Sequence, residues 1–105
     1  MNSRDKGCRG ELEWAKFLTD HGYPARRGQQ YSGLPDSPDV VCESLGGFHF
    51  EVKRTQRLSL HKAMNQAMDD CGEAVPVIAH KKNHKEWLVV LTAEDFMRLL
   101  SKRSL

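Results

Sequence analysis

The chain has 105 residues, 39% of them hydrophobic, with 16 basic against 14 acidic side chains and a formal charge of +2, which suits one small domain with one core and leaves no room for a second. Its longest apolar run, Trp87 to Leu91, is far too short to span a bilayer, and Met1 to Lys6 lacks the apolar stretch of a secretory leader. Three cysteines, Cys8, Cys42 and Cys71, form no CxxC pair, which argues against a disulfide scaffold or zinc ribbon and fits a reducing cytoplasm.

Residues 6–21 read as a helix that stops at His21-Gly22, with Pro24 just beyond. Arg9, Glu13, Lys16 and Asp20 fall on one line at helical spacing and predict its solvent face. Glu11 sits almost opposite, among Cys8, Trp14, Ala15 and Leu18. A carboxylate on a core-facing side needs a partner, and either an arginine or a metal ion would satisfy it. Residues 23–30 predict a first strand, and Gln29 to Ser37 a loop broken by Gly33 and Pro35, with Pro38 following. Within it the Ser32 hydroxyl could bond a phosphate, with Gly33 allowing close backbone approach.

Residues 39–43 and 48–54 predict two strands around the turn Ser44-Leu45-Gly46-Gly47. Alternation sends Phe48, Phe50 and Val52 to one face and His49, Glu51 and Lys53 to the other, with Glu51 and Lys53 about 7 Å apart. A hairpin centred near Leu45 puts Asp39 opposite Glu51, whereas a one-residue slip would send Asp39 to the wrong face. Two carboxylates that close call for a cation. Mg²⁺ takes one or two carboxylates together with waters and substrate phosphate, and in that position it can polarise a phosphoryl oxygen and activate a water. Lys53 adds positive charge where charge develops on the phosphate.

Residues 60–71 predict a second helix ended by Gly72, with the stripe Leu60, Met64, Ala67, Met68 and Cys71 facing the core. Gln66 lies off that stripe, on the side of Lys62 and Asp69, where it could orient a water or a phosphate. Residues 75–80 and 86–91 predict two further strands joined by a Lys/Asn/His loop. His80 and His84 flank this loop without the spacing of a helical metal pair. Thr92 is a natural N-cap for a last helix with Glu94 and Asp95 in its first turn. The order α-β-β-β-α-β-β-α describes an α/β fold, a mixed sheet flanked by helices. Basic residues gather locally, as Arg4, Lys6 and Arg9; Arg26 and Arg27; Arg54 and Arg57; Lys62; and Lys81, Lys82 and Lys85. Such patches on a nearly neutral chain suit a phosphate-backbone partner.

Taken in order, Lys6-Gly7-x-x-x-Glu11, Gly22-Tyr23, Arg26-Arg27, Ser32-Gly33, Pro38-Asp39-Val40-Val41, Glu51-Val52-Lys53 and Gln66 resemble the PD-(D/E)xK nuclease superfamily, and within it the Holliday-junction resolvases of the archaeal and phage type. The likeness spans most of the chain. It implies a restriction-endonuclease-like core in a cytoplasmic protein of a bacterial, archaeal or phage-infected cell. It further implies Mg²⁺, replaceable by Mn²⁺, bound by Asp39 and Glu51 with Glu11 contributing directly or through water. Lys53 would be catalytic, and Ser32 would assist near the scissile phosphate. The partners implied are a second copy of the chain and four-way DNA junctions, with no membrane. Two other readings compete, a restriction-like or repair nuclease on linear or flapped DNA and a non-catalytic nucleic-acid-binding module.

Overall fold

The first helix, α1, spans Ser3–Asp20. Its end is set by Gly22, which adopts a left-handed φ of 95°, while Tyr23 N–H returns to the Leu18 carbonyl at 2.9 Å and satisfies part of the open last turn. In this computed structural model residues 3–28 and 39–102 are described, with side chains from residue 7 onward. The elements that follow are β1 (Arg26–Arg27), β2 (Val40–Val41), β3 (Phe48–Arg54), α2 (Leu60–Asp70), β4 (Val75–Lys81), β5 (Leu88–Val90) and α3 (Ala93–Ser101), with a 3-10 turn at Glu43–Leu45 between β2 and β3. The order is the one read from the sequence. The first two strands are shorter than predicted, two residues each. Pro24 has no N–H to give a ladder, and residues 29–30 lie outside the described residues.

The five strands line up in chain order. β3 and β4 run parallel and the other pairs antiparallel, so the parallel pair needs the crossover that α2 provides. α1 covers one face, where Trp14, Ala15 and Leu18 meet Val40, Phe50, Val77 and Ala79. The Trp14 ring stands edge-on to Phe50 at 5.6 Å and lies 5.0 Å from Trp87. α2 covers the other face, setting Ala63, Met64 and Ala67 on Ile78. No described helix is long and apolar enough to cross a membrane.

Two predicted faces turn out differently. The stripe of α2 is rotated, with Ala63 buried and Leu60 and Met68 exposed. The two alanines flank Met64 and let the helix close onto the fully buried Ile78, so the contact line runs through Ala63, Met64 and Ala67. On α1, Glu13 leaves the solvent line to pair with Arg54 Nε at 3.2 Å. The cause is the close approach of α1 to β3 at Gly10, where an added Cβ would stand 2.5 Å from Arg54 Cβ.

That contact fixes the sign of a substitution. Gly10→Ala gains about 1 kcal/mol of helix propensity, but Arg54 Cβ is anchored to its strand and cannot swing away, and such overpacking costs about 1–3 kcal/mol. The variant is predicted to be less stable than wild type by up to roughly 2 kcal/mol in urea denaturation; a stabilised variant would contradict the close approach.

Candidate functional site

Val40 pairs with Phe50, and the same register carried one residue further sets Asp39 across from Glu51. Val40 and Phe50 belong to the core under α1, so alternation turns Asp39 and Glu51 to the opposite face. Asp39 is 9% exposed. One of its oxygens, Oδ2, accepts the Val52 N–H at 2.8 Å, and its carbonyl accepts Gly28 N–H at 2.9 Å, tying the end of β1 to the site.

Glu51 is 5% exposed. Its Oε1 lies 3.5 Å from Lys53 Nζ and its Oε2 lies 3.9 Å from His49 Nε2. The Lys53 ammonium also donates to Gln66 Oε1 at 3.2 Å. Side chains from β3 and α2 thus meet in a line running Glu51, Lys53, Gln66, with Asp39 alongside. His49, also 5% exposed, leaves Nε2 without a hydrogen-bond partner among the described residues. Its place on the face of Glu51 follows from alternation, but its depth of burial had no signal in the sequence.

The electrostatics are those of a site short of positive charge. Burial pushes the Asp39 carboxyl up to about 7; repulsion from Glu51 and Glu11 adds to this, while the Val52 N–H and Lys53 oppose it. A protein built only for stability would replace one of two facing buried acids. Carboxylate oxygens are the ligand type that hard divalent cations prefer, so Asp39 and Glu51 fit such an ion.

Glu11, 9% exposed, has its Oε1 2.7 Å from Arg27 Nε. This bond raises the Arg27 pKa, and the sequence named an arginine as one of two ways to satisfy the acid. Arg27 pairs with Val40 across the β1–β2 ladder, which carries its side chain to the α1 face. Among the described residues no group of three or more His, Cys, Asp or Glu side chains converges to hold a metal ion. Arg54 is engaged by Glu13 and by Asn83 Oδ1 at 2.8 Å. Arg9, Arg26, Arg57 and Lys62 are exposed. Ser32 and the side chains of Arg4 and Lys6 lie outside the described residues. No family model, no curated protein and no solved structure matches the chain.

The raised Asp39 pKa makes stability depend on pH. Between pH 3.8 and about 7 the folded protein keeps a proton that the unfolded chain has released. Stability therefore falls as pH rises through that window, by up to roughly 4 kcal/mol from this group. Asp39→Asn removes the charge and keeps an oxygen for the Val52 N–H. In metal-free buffer at pH 8 it is predicted to be more stable than wild type by roughly 1–4 kcal/mol, an advantage that vanishes near pH 4. Urea denaturation at the two pH values measures this, and a variant less stable than wild type at pH 8 would contradict it.

Proposed function

We propose that this protein is a divalent-metal-dependent, structure-specific DNA endonuclease with a restriction-endonuclease-like core, hydrolysing phosphodiesters at branched DNA in the manner of a Holliday-junction resolvase. The observation that carries the proposal is the meeting of Asp39, Glu51, Lys53 and Gln66 on one face of the sheet. Their order and spacing in the chain are those of the nuclease motif.

Asp39 and Glu51 hold Mg²⁺, or Mn²⁺ in its place. When bound, the ion supplies Lewis-acid polarisation of a phosphoryl oxygen and lowers the pKa of a coordinated water. The Val52 N–H bonds Asp39 Oδ2 and so fixes the orientation of the carboxylate. Lys53, held between Glu51 and Gln66, brings its ammonium to the phosphate, where it offsets charge that builds on the equatorial oxygens. Gln66 uses its carbonyl oxygen on Lys53, leaving its amide N–H groups to orient a water or a phosphate. Glu11 acts through a water or on release from Arg27, and Ser32 assists near the scissile phosphate. Arg4, Lys6, Arg9, Arg26, Arg57 and Lys62 contact the DNA backbone, whereas Arg27 and Arg54 serve mainly to anchor Glu11 and Glu13.

A binding module on the same fold is disfavoured by charge. Buried acids beside a phosphate path weaken binding and help only where a cation joins them. A duplex or flap nuclease retains the same chemistry with a different substrate. Resolution of a junction needs two active sites, and a second copy of the chain supplies the other. The apolar side chains left exposed on β5 and α3, Leu88, Val89, Phe96, Met97 and Leu100, favour such self-association.

Incubation with labelled four-way junctions and Mg²⁺ is predicted to give paired nicks from a sedimenting dimer, with linear duplex cut much less. Asp39→Asn is predicted to lower the rate by at least a hundredfold, on the order of losing one strong electrostatic contribution, while binding DNA as well as wild type or better. Equal cutting of duplex and junction would favour the repair-nuclease reading. A folded wild type that cuts nothing in Mg²⁺ or Mn²⁺ would refute catalysis.

A further inference from the structure

We propose that the β4–β5 loop, through Lys82 and Lys85, is a second phosphate-binding element that grips the backbone of duplex DNA next to the nuclease site. This rests on the reading of the protein as DNA-binding. It assigns a role to the one basic cluster that the catalytic constellation leaves unused.

The parallel pairing of β3 with β4 sets Lys53 beside His80 and Arg54 beside Lys81. The two strands therefore end together, and the loop begins where the catalytic lysine stands. With strands about 4.8 Å apart and a rise of about 3.3 Å per residue, the Lys82 backbone lies about 8 Å from that of Lys53. One duplex arm can touch both, because DNA carries a charge every 1.7 Å or so along its axis.

The loop is built rather than slack. Asn83 pins the loop to neighbouring segments, its Oδ1 accepting from Arg54 Nη1 at 2.8 Å and its N–H donating to Gln56 Oε1. Lys85 N–H returns to the Lys82 carbonyl at 3.3 Å, and His84 takes a left-handed φ of 61°, so the chain reverses at once. His80, buried beneath, donates from Nε2 to the Thr55 carbonyl at 3.0 Å. The result sets Lys82 and Lys85 on one hollow of about 290 Å³ shared with His80, Glu86 and Leu88.

The charges there are open. Lys16, Arg27, Arg54 and Arg98 each lie within ion-pair distance of an acid. Lys81, Lys82, Lys85 and Arg57 pair with none among the described residues, and Glu86, the acid of the hollow, is not within ion-pair distance of either lysine. Lysine ammoniums on a pinned turn act as point charges for phosphate and do not read base edges. That is the contact expected of a protein that recognises shape rather than sequence.

The test is the salt dependence of DNA binding in EDTA, where no cleavage occurs. Wild type, K82A/K85A, K82R/K85R and the control K16A are titrated with a short labelled duplex between 50 and 200 mM salt. Loss of two phosphate contacts is predicted to reduce the slope of log K against log salt by about 2, so the variant loses about tenfold less affinity across that range than wild type. The arginine variant and K16A should keep the wild-type slope. A wild type that binds and a K82A/K85A slope equal to it would overturn the loop assignment and leave the nuclease reading intact. A K16A slope reduced as much as that of K82A/K85A would also overturn it, by making the effect one of net charge. A wild type that binds no DNA at 50 mM salt would overturn both.

Discussion

Pairing Val40 with Phe50 decides which face of the sheet every side chain of β2 and β3 takes. With this register the apolar set of both strands lies under α1, and Asp39, Glu51 and Lys53 share the other face. Shifted by one residue, Asp39 would face Trp14 and the core, and the acids would part. The Val52 N–H bonded to Asp39 Oδ2 locks the same alignment from the side-chain end. The core and the site are thus two faces of one hairpin, and neither can change register without the other.

The price of this arrangement is electrostatic. Two acids are withdrawn from water on a face with one lysine between them and α2, and Asp39 holds its proton to about pH 7 as a result. Such local conflict is what active sites keep and cores remove. The surrounding structure offsets it with ordinary packing, in the ring cluster of Trp14, Phe50 and Trp87 and in the alanines of α2 against Ile78. Gln66, exposed on its helix, steadies Lys53 from outside, so the lysine charge is positioned by two elements that meet only in the folded chain.

Much of this was legible in the residues. The order of elements followed from the breakers at Gly22, Gly46-Gly47 and Gly72, and the register followed from the centre of the turn. Glu11 stood out because it interrupts an apolar face. What stayed hidden depends on contacts between distant segments. Nothing in Arg27 itself says that it reaches Glu11, and nothing in Glu13 says that Gly10 draws Arg54 beneath it. The contact face of α2 departs from the apolar stripe because periodicity weighs large side chains, whereas Ala63 and Ala67 pack beside Met64 against Ile78. His49 and Asn83 gave no sign of burial or of anchoring, since both are set by the parallel pairing of β3 with β4 and by the loops that follow it.

The central claim is that Asp39 and Glu51 together hold one divalent ion. Titration of Mn²⁺ into the protein, followed by the loss of the free-ion paramagnetic resonance signal, measures this without DNA or turnover. Wild type should bind Mn²⁺ with an affinity that drops as pH falls below about 7, where Asp39 takes up its proton. Asp39→Asn and Glu51→Gln should each weaken binding by at least tenfold while remaining folded, and Gln66→Ala should bind as wild type does. Wild type that binds no Mn²⁺, or binding unchanged in both carboxylate variants, would contradict the account.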